Sequence, residues 1–175
     1  MRLTNSPIAV ELTLFCVLTA TASAASLWRL QGVTFADGGT ATGSFVYDPG
    51  TNTYSSIGII TTPGTAFSGT TYEFIDSATS SATGAGFLTS AASDQTGADG
   101  LALFYNSSLA GGGTIPLKTK SAEVTCTNAN CVNVSLIRTV SAGSVAEAPE
   151  PYSMLLFAGG FFAVALTVKL ARRSR

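Results

Sequence analysis

Cysteine and histidine decide which chemistry this sequence can support. The chain has three cysteines and no histidine, which removes the Ser-His-Asp and Cys-His catalytic arrangements and the commonest metal ligand. Cys126 and Cys131 flank a turn-rich segment of four residues. In an exported protein such a pair most simply forms a disulfide. A zinc site is the alternative, but two thiolates without further cysteine or histidine leave the metal under-ligated.

Acidic residues offer two further candidate sites. Glu73 and Asp76 could act as paired carboxylates, but residues three apart on a strand point to opposite faces. Asp94 and Asp99 could offer oxygens to calcium, although their spacing does not match the EF-hand loop. We interpret Glu73 and Asp76 as solvated acids at strand ends, and we do not favour calcium at Asp94 and Asp99. The sequence therefore predicts no catalytic residue, no metal and no cofactor, and we expect the protein not to be an enzyme.

Four aromatic residues could bind a sugar by stacking. Trp28, Tyr54, Tyr72 and Tyr105 are spread over the body of the chain, and a platform of such rings is a common carbohydrate-binding surface. The alternative, which the sequence favours, is that these rings pack in or near the core. A membrane-anchored carbohydrate-binding module or adhesin is accordingly the alternative function.

The charge of the body excludes one class of partner. Between residues 25 and 150 the chain carries nine acidic and four basic residues, a net charge of −5. A domain this acidic, without a basic cluster, should repel nucleic acid. Few residues are charged, so solubility depends on Ser, Thr, Asn and Gly. Such a composition is common in secreted β-proteins.

The strands that must position these residues follow from alternation and turn signals. In the first strand we expect Trp28 and Leu30 on one face and Val33 and Phe35 on the other. We expect residues 79–86 and 93–100 to be loops and residues 141–148 a linker. About eight short strands favour an all-β fold for residues 25–145, an antiparallel β-sandwich or a flattened barrel. The expected strands are residues 27–35, 40–47, 54–62, 70–75, 87–89, 101–105, 115–118, 122–127 and 132–140.

An uncharged run near the C-terminus predicts a transmembrane helix at residues 152–170. As a helix, its seventeen uncharged residues 152–168 would span roughly 25 Å, slightly less than the hydrocarbon core, and the Lys169 stem can cover the difference. A buried core helix would show a polar face, and this run shows none. The basic residues that follow place the C-terminus, residues 171–175, in the cytoplasm and the body outside. These membrane-stop residues are Lys169, Arg172, Arg173 and Arg175.

The N-terminus predicts export. Residues 1–24 read as a secretory signal peptide, with Arg2 at the start, an apolar stretch at residues 12–20 and cleavage between Ala24 and Ala25. The alternative is an uncleaved N-terminal helix, although the apolar stretch is too short to span a membrane. Both chain ends thus predict the same topology independently.

The C-terminal segment resembles the sorting domain of bacterial PEP-CTERM proteins. Residues 146–151 form a linker that ends in the proline-acid-proline motif, directly before the apolar run and the arginines. The matching residues are Pro149, Glu150, Pro151, Ser153, Gly159, Gly160, Arg172 and Arg173.

This resemblance implies that the protein is the substrate of an exosortase, a membrane-bound processing enzyme. The expected location is an inner-membrane-anchored precursor with its body outside the cytoplasm, then the cell surface or the extracellular matrix. The expected partners are the membrane, the processing enzyme and an exopolysaccharide. The prolines fit such a role, because they keep the backbone extended and deny it helical structure.

Overall fold

Ten β-strands make up the sheet of residues 24–148, the range that the computed structural model describes. All strands pair antiparallel, and a short 3₁₀ turn lies at Leu109–Gly111. The prediction of an all-β fold is confirmed. The strands are β1 (Ser26–Phe35), β2 (Thr40–Asp48), β3 (Thr53–Thr61), β4 (Thr71–Tyr72), β5 (Phe74–Ser81), β6 (Gly84–Leu88), β7 (Asp99–Phe104), β8 (Thr114–Pro116), β9 (Ala122–Cys126) and β10 (Val134–Glu147).

The strands form one sheet that curls until it is nearly closed. Their order is β4-β3-β2-β1-β10-β9-β7-β6-β5, and β8 pairs with β10. The sheet has two halves, β4-β3-β2-β1 and β9-β7-β6-β5, and β10 joins them. Residues 134–139 of β10 pair with β9, and residues 140–147 pair with β1. Across the remaining gap the Tyr54 hydroxyl on β3 donates to the Ser81 carbonyl on β5 at 2.6 Å. Of the two predicted architectures, the structure is therefore closer to the barrel.

Aromatic rings fill the interior between the two halves. The Phe45 ring centroid lies 5.2 Å from that of Phe87 and 5.5 Å from that of Tyr54. Phe45 comes from β2 and Phe87 from β6, so this contact joins the halves. Aromatic rings each bury roughly 150–250 Å² and dominate such cores. The disulfide lies in a separate, smaller cluster with Leu88.

A bulge in β1 overturns the predicted faces of that strand. Trp28, Leu30, Val33 and Phe35 are all buried on the inner face. Gly32 has a φ of +58°, and the pairing of β1 with both neighbours shifts around it. One extra residue in a strand reverses the alternation beyond it. The prediction that Val33 and Phe35 face away from Trp28 is therefore wrong.

Residues 79–86, predicted as a loop, lie largely in the β5–β6 hairpin. Their small side chains suit crowded positions, since a Cβ on Gly84 would lie 3.0 Å from the Phe104 ring. The Ser80 hydroxyl donates to the Asp76 carbonyl at 2.7 Å and accepts from Gly86 N–H at 3.1 Å.

The strand predicted at residues 70–75 is divided at Glu73 into β4 and β5, which belong to opposite ends of the sheet.

Residues 141–148 are the second segment that composition misassigned. Apart from Ala148 they are the second half of β10, paired with β1 on one side and in part with β8 on the other. The small residues fit the bulge in β1, because a Cβ on Gly143 would lie 2.7 Å from Val33 Cα. The linker prediction is wrong here, and the predicted boundary after residue 145 falls inside a strand.

Candidate functional site

The chain enters and leaves the domain at one end of the sheet. Trp28 near the start of β1 pairs with Glu147, the last residue of β10. Beyond this pair, Ala148 N–H donates to the Leu27 carbonyl at 2.7 Å. Ala24 and Ala25, the predicted cleavage site, are exposed just before β1. We call this part of the molecule, residues 24–28 and 145–148, the terminal end.

A cavity of about 240 Å³ opens at the terminal end. The carboxylate of Glu147 accepts from Gly113 N–H at 3.2 Å beside it, and Trp28 Nε1 is buried without a hydrogen-bond partner in the described range. This lining holds one carboxylate, that of Glu147, and one phenol, that of Tyr47, whose hydroxyl donates to Asn52 Oδ1 at 3.0 Å. The lining residues are Ser26, Trp28, Tyr47, Pro49, Leu109, Ala110, Gly111, Gly112 and Glu147.

The predicted leader and sorting tail lie almost entirely outside the described residues. This holds for residues 1–23 of the signal peptide and for the transmembrane helix predicted at residues 152–170. Between residues 24 and 148 there is no helix with the length and apolar character needed to cross a membrane. The sorting-motif and membrane-stop residues outside the range are Pro149, Glu150, Pro151, Lys169, Arg172, Arg173 and Arg175.

The predicted disulfide is present. Cys126, the last residue of β9, is bonded to Cys131, with their Cα atoms 4.6 Å apart. Both cysteines are buried, and Gly97 N–H donates to the Cys126 carbonyl at 2.8 Å. The bond therefore closes the turn between β9 and β10 and fixes the neighbouring loop. It excludes the zinc alternative for this pair.

Three of the four candidate acids accept hydrogen bonds, whereas Glu73 is exposed as predicted. Asp76 is buried, not solvated as predicted, and accepts from Ala78 N–H at 3.1 Å and from the Thr79 hydroxyl at 2.5 Å. Asp99 accepts from the Thr125 hydroxyl at 3.1 Å, and Asp94 binds Thr96 N–H at 3.0 Å. Across residues 24–148, no three acidic, cysteine or histidine side chains come together as a metal site.

The four rings considered for sugar stacking are core residues. Trp28, Tyr72 and Tyr105 have no exposed surface, and Tyr54 is 8% exposed. Burial raises the pKa of Tyr54 and Tyr105 above the ordinary tyrosine value. These rings cannot offer a face to a sugar, so the core-packing alternative is correct for all four.

A buried ionic network is a feature that the sequence analysis did not predict. Arg138 on β10 is 3% exposed and Glu123 on β9 is fully buried, and Arg138 Nε binds a Glu123 carboxylate oxygen. Arg138 Nη1 also lies 3.1 Å from each carboxylate oxygen of Asp37, in the β1–β2 turn. The other Glu123 oxygen accepts from the Tyr72 hydroxyl at 2.7 Å. The network around this guanidinium thus joins β4, β9, β10 and the β1–β2 turn.

The remaining faces of the guanidinium are also occupied. Arg138 Nη2 donates to the Thr62 carbonyl at 3.1 Å, and the Phe35 ring centroid lies 4.1 Å from its central carbon. With its donors paired and a ring against its face, this arginine is a structural clamp. Glu123 and Asp37 both form ion pairs with this guanidinium, so neither carboxylate is placed to act on a substrate.

The electrostatics of the network agree with that role. Burial would raise the pKa of Asp37, but N–H donors of Gly39 and Ala66 and the Arg138 guanidinium outweigh it, so its pKa lies below the usual value. Burial raises the pKa of Tyr72 far above its usual value, and the Glu123 charge raises it further. Tyr72 is therefore a neutral donor to Glu123 at physiological pH.

The sequence contained a weak signal for the network. Glu123 and Arg138 are charged residues within two predicted strands that a short disulfide-closed turn connects. Hairpin strands pair residue against residue, so opposite charges on the two strands could have been tested for alignment. Asp37 is 101 positions from Arg138, and no local pattern connects those two.

Comparison with known proteins gives no match, either among family models or among curated proteins and solved structures.

Proposed function

We propose that this chain is an exported, non-enzymatic bacterial surface or extracellular-matrix protein with a C-terminal sorting signal, Pro149, Glu150 and Pro151, for an exosortase-type enzyme. It is made with a signal peptide, held in the inner membrane by the helix at residues 152–170, and then released to the surface. An exopolysaccharide is its expected surrounding.

The observation that carries this proposal is the hydrogen bond from Ala148 N–H to the Leu27 carbonyl at 2.7 Å. It makes the start and the end of the domain neighbours. A leader and a tail that enter the same membrane attach most directly to the same end of the domain, and the neighbouring chain ends support that arrangement. Pro149 and Pro151 lack N–H donors that could continue the β1–β10 ladder.

The disulfide is a second support. Cys126–Cys131 fits a protein that folds in an oxidising compartment, since cytoplasmic thiols are kept reduced. The acidic body with few charges fits the same location.

Removal of the tail tests the anchoring. The chain that lacks residues 149–175 should appear in the soluble exported fraction, whereas the full chain should stay with the membrane pellet. A matched variant with Pro149→Ala, Glu150→Ala and Pro151→Ala keeps the apolar helix and the basic stop. It should remain in the membrane and resist processing by the native host.

Intact-mass analysis completes the test, because a mature chain that starts at Ala25 confirms the leader cleavage. A truncated chain that stays in the pellet would show that the tail is not what holds the protein.

The alternative function, an anchored carbohydrate-binding module or adhesin, needs a binding surface other than the four buried rings. No observation in the described residues favours it.

A further inference from the structure

The first part of β10 leaves one side of its backbone unpaired within the described sheet. β9 pairs with Val134–Thr139 on one side. On the other side, the neighbouring chain first meets β10 at Thr139, whose carbonyl accepts from Ala36 N–H at 2.9 Å. No described strand covers residues 132–136 on that side. We call these five residues the open edge.

The hydrogen bonds show which residues present their backbone groups to the open side. Thr127 N–H donates to the Asn133 carbonyl at 2.9 Å, and Asn133 N–H donates to Asn128 Oδ1 at 3.0 Å. Asn133 therefore directs its backbone groups towards β9 and the turn, and Ser135, two positions on in the same register, directs its groups towards β9.

In an antiparallel ladder the direction alternates from residue to residue. Val134 and Leu136 of β10 therefore direct N–H and C=O groups outward, where an extended strand could bond to them. Val132 lies two positions before Val134, just ahead of β10.

The side chains of the open edge are also free. Val132 is 68% exposed, Val134 49% and Leu136 62%. Natural sheets protect such edges with lysine, proline or inward charges, and residues 132–136 contain none of these. The edge is bounded by the disulfide turn at Cys131 and by the pairing shift between Leu136 and Arg138.

Two sequence features select a second copy of this chain as the occupant. Residues 124–137 carry no charge, so two acidic domains can meet here without local repulsion. The edge reads Val-Asn-Val-Ser-Leu, apolar and polar in alternation, and this polarity pattern is the same in both directions. An antiparallel copy therefore sets apolar residues against apolar ones and polar against polar.

We propose that two copies pair antiparallel along residues 132–136, with a two-fold axis at Val134. Val134 then faces Val134 of the second copy, and Val132 faces its Leu136. Val134 presents outward backbone groups in both copies, so the two strands can exchange hydrogen bonds at the axis. The interface is isologous and closes at two copies. A five-residue edge is far smaller than a standard interface, so the dimer forms where the chain is concentrated, as on a surface.

Cysteine cross-linking of the full chain tests the register. Facing residues of a hydrogen-bonded antiparallel pair have Cα atoms about 5.5 Å apart, within disulfide range. Val134→Cys should therefore form a covalent homodimer under mild oxidation. Ile60→Cys, at an apolar β3 position that is 54% exposed, is the matched control and should stay monomeric. When the Val132→Cys and Leu136→Cys variants are mixed, they should form a covalent heterodimer. Neither variant alone should form a covalent homodimer.

A charge at the axis gives an independent measurement. Val134→Lys places two lysines opposite each other and should weaken self-association by about tenfold in sedimentation experiments, whereas Ile60→Lys should not. Thermal unfolding of each variant controls for folding. The proposal fails if Val134→Cys yields no more dimer than Ile60→Cys, or if mass spectrometry shows it bonded to a different polypeptide.

Discussion

Arg138 binds both carboxylate oxygens of Asp37 through a single nitrogen, at 3.1 Å each, across 101 positions of sequence. The same side chain binds Glu123 on the adjacent strand. The β1–β2 turn and the β9–β10 hairpin come from distant parts of the chain. This guanidinium connects them inside the nearly closed sheet.

Removing the buried Arg138 cation should lower the free energy of unfolding strongly. Arg138→Met leaves the buried Glu123 carboxylate without its positive partner. Removing one partner of a buried ion pair costs about 3–5 kcal/mol of unfolding free energy. Arg29→Met, at an exposed arginine on β1, is the matched control and should change stability by less than about 0.5 kcal/mol. Denaturant titration of residues 25–148 measures both.

The double variant Glu123→Leu/Arg138→Met separates charge from packing. It removes the buried carboxylate together with its partner, so it should be more stable than Arg138→Met alone. Equal instability of the single and double variants would show that shape, and not the uncompensated charge, sets the cost.

Buried tyrosines should make the protein sensitive to alkali. Tyr54, Tyr72 and Tyr105 have pKa values raised by burial above the ordinary value of 10.0. Below pH 10 these groups are protonated in both states, so their full contribution to stability is present. Above it the unfolded chain loses protons that the folded chain keeps, and stability falls as pH rises.

Absorbance at 295 nm measures this behaviour. In the native domain these three tyrosines should ionise only together with unfolding, as one cooperative step. In strong denaturant they should titrate near their ordinary pKa. Gradual ionisation while the near-ultraviolet circular dichroism stays native would contradict the buried positions.

Local sequence signals predicted the parts of the fold that local geometry decides. The Asp37-Gly38-Gly39 turn and the Cys126–Cys131 bond each close within a few residues, and both are present. Alternation located most strands, because a half-buried strand leaves a period of two in the sequence.

The errors arose where tertiary pairing outweighs composition. Residues 79–86 and 141–148 are small and polar, as loops are, but their strand neighbours require small side chains. Gly32 could not be recognised as a bulge without its two pairing strands. In the ionic network, the Asp37–Arg138 contact has no sequence periodicity to reveal it. β-propensity reflects packing against neighbours more than intrinsic preference.

Loss of the disulfide should lower stability modestly. The double variant Cys126→Ser/Cys131→Ser releases a short loop, which costs about 2 kcal/mol on the chain-entropy model. Reductant should lower the denaturation midpoint of the parent protein and leave that of the double variant unchanged. An effect of reductant on the double variant would point to another cause.

Gly43 should tolerate no side chain, because β2 and β3 meet there without room for one. Its φ is +128°, and a Cβ would overlap the Gly58 carbonyl oxygen and lie 2.7 Å from Ile59 Cα. The neighbours are backbone atoms of a paired strand, so they cannot move aside as a flexible side chain can. Gly43→Ala should therefore cost more than about 3 kcal/mol of unfolding free energy, the strain of the backbone and of the overlap together.

Gly58→Ala is the matched control on the opposite strand. Nothing lies within 4 Å of a Cβ at that position, and its φ is not positive. Alanine there should leave the denaturation midpoint unchanged or raise it slightly, because it restricts the unfolded chain. Similar losses for the two variants would mean that glycine is needed along this hairpin for a reason other than space, and the tight approach of β2 to β3 would lose its support.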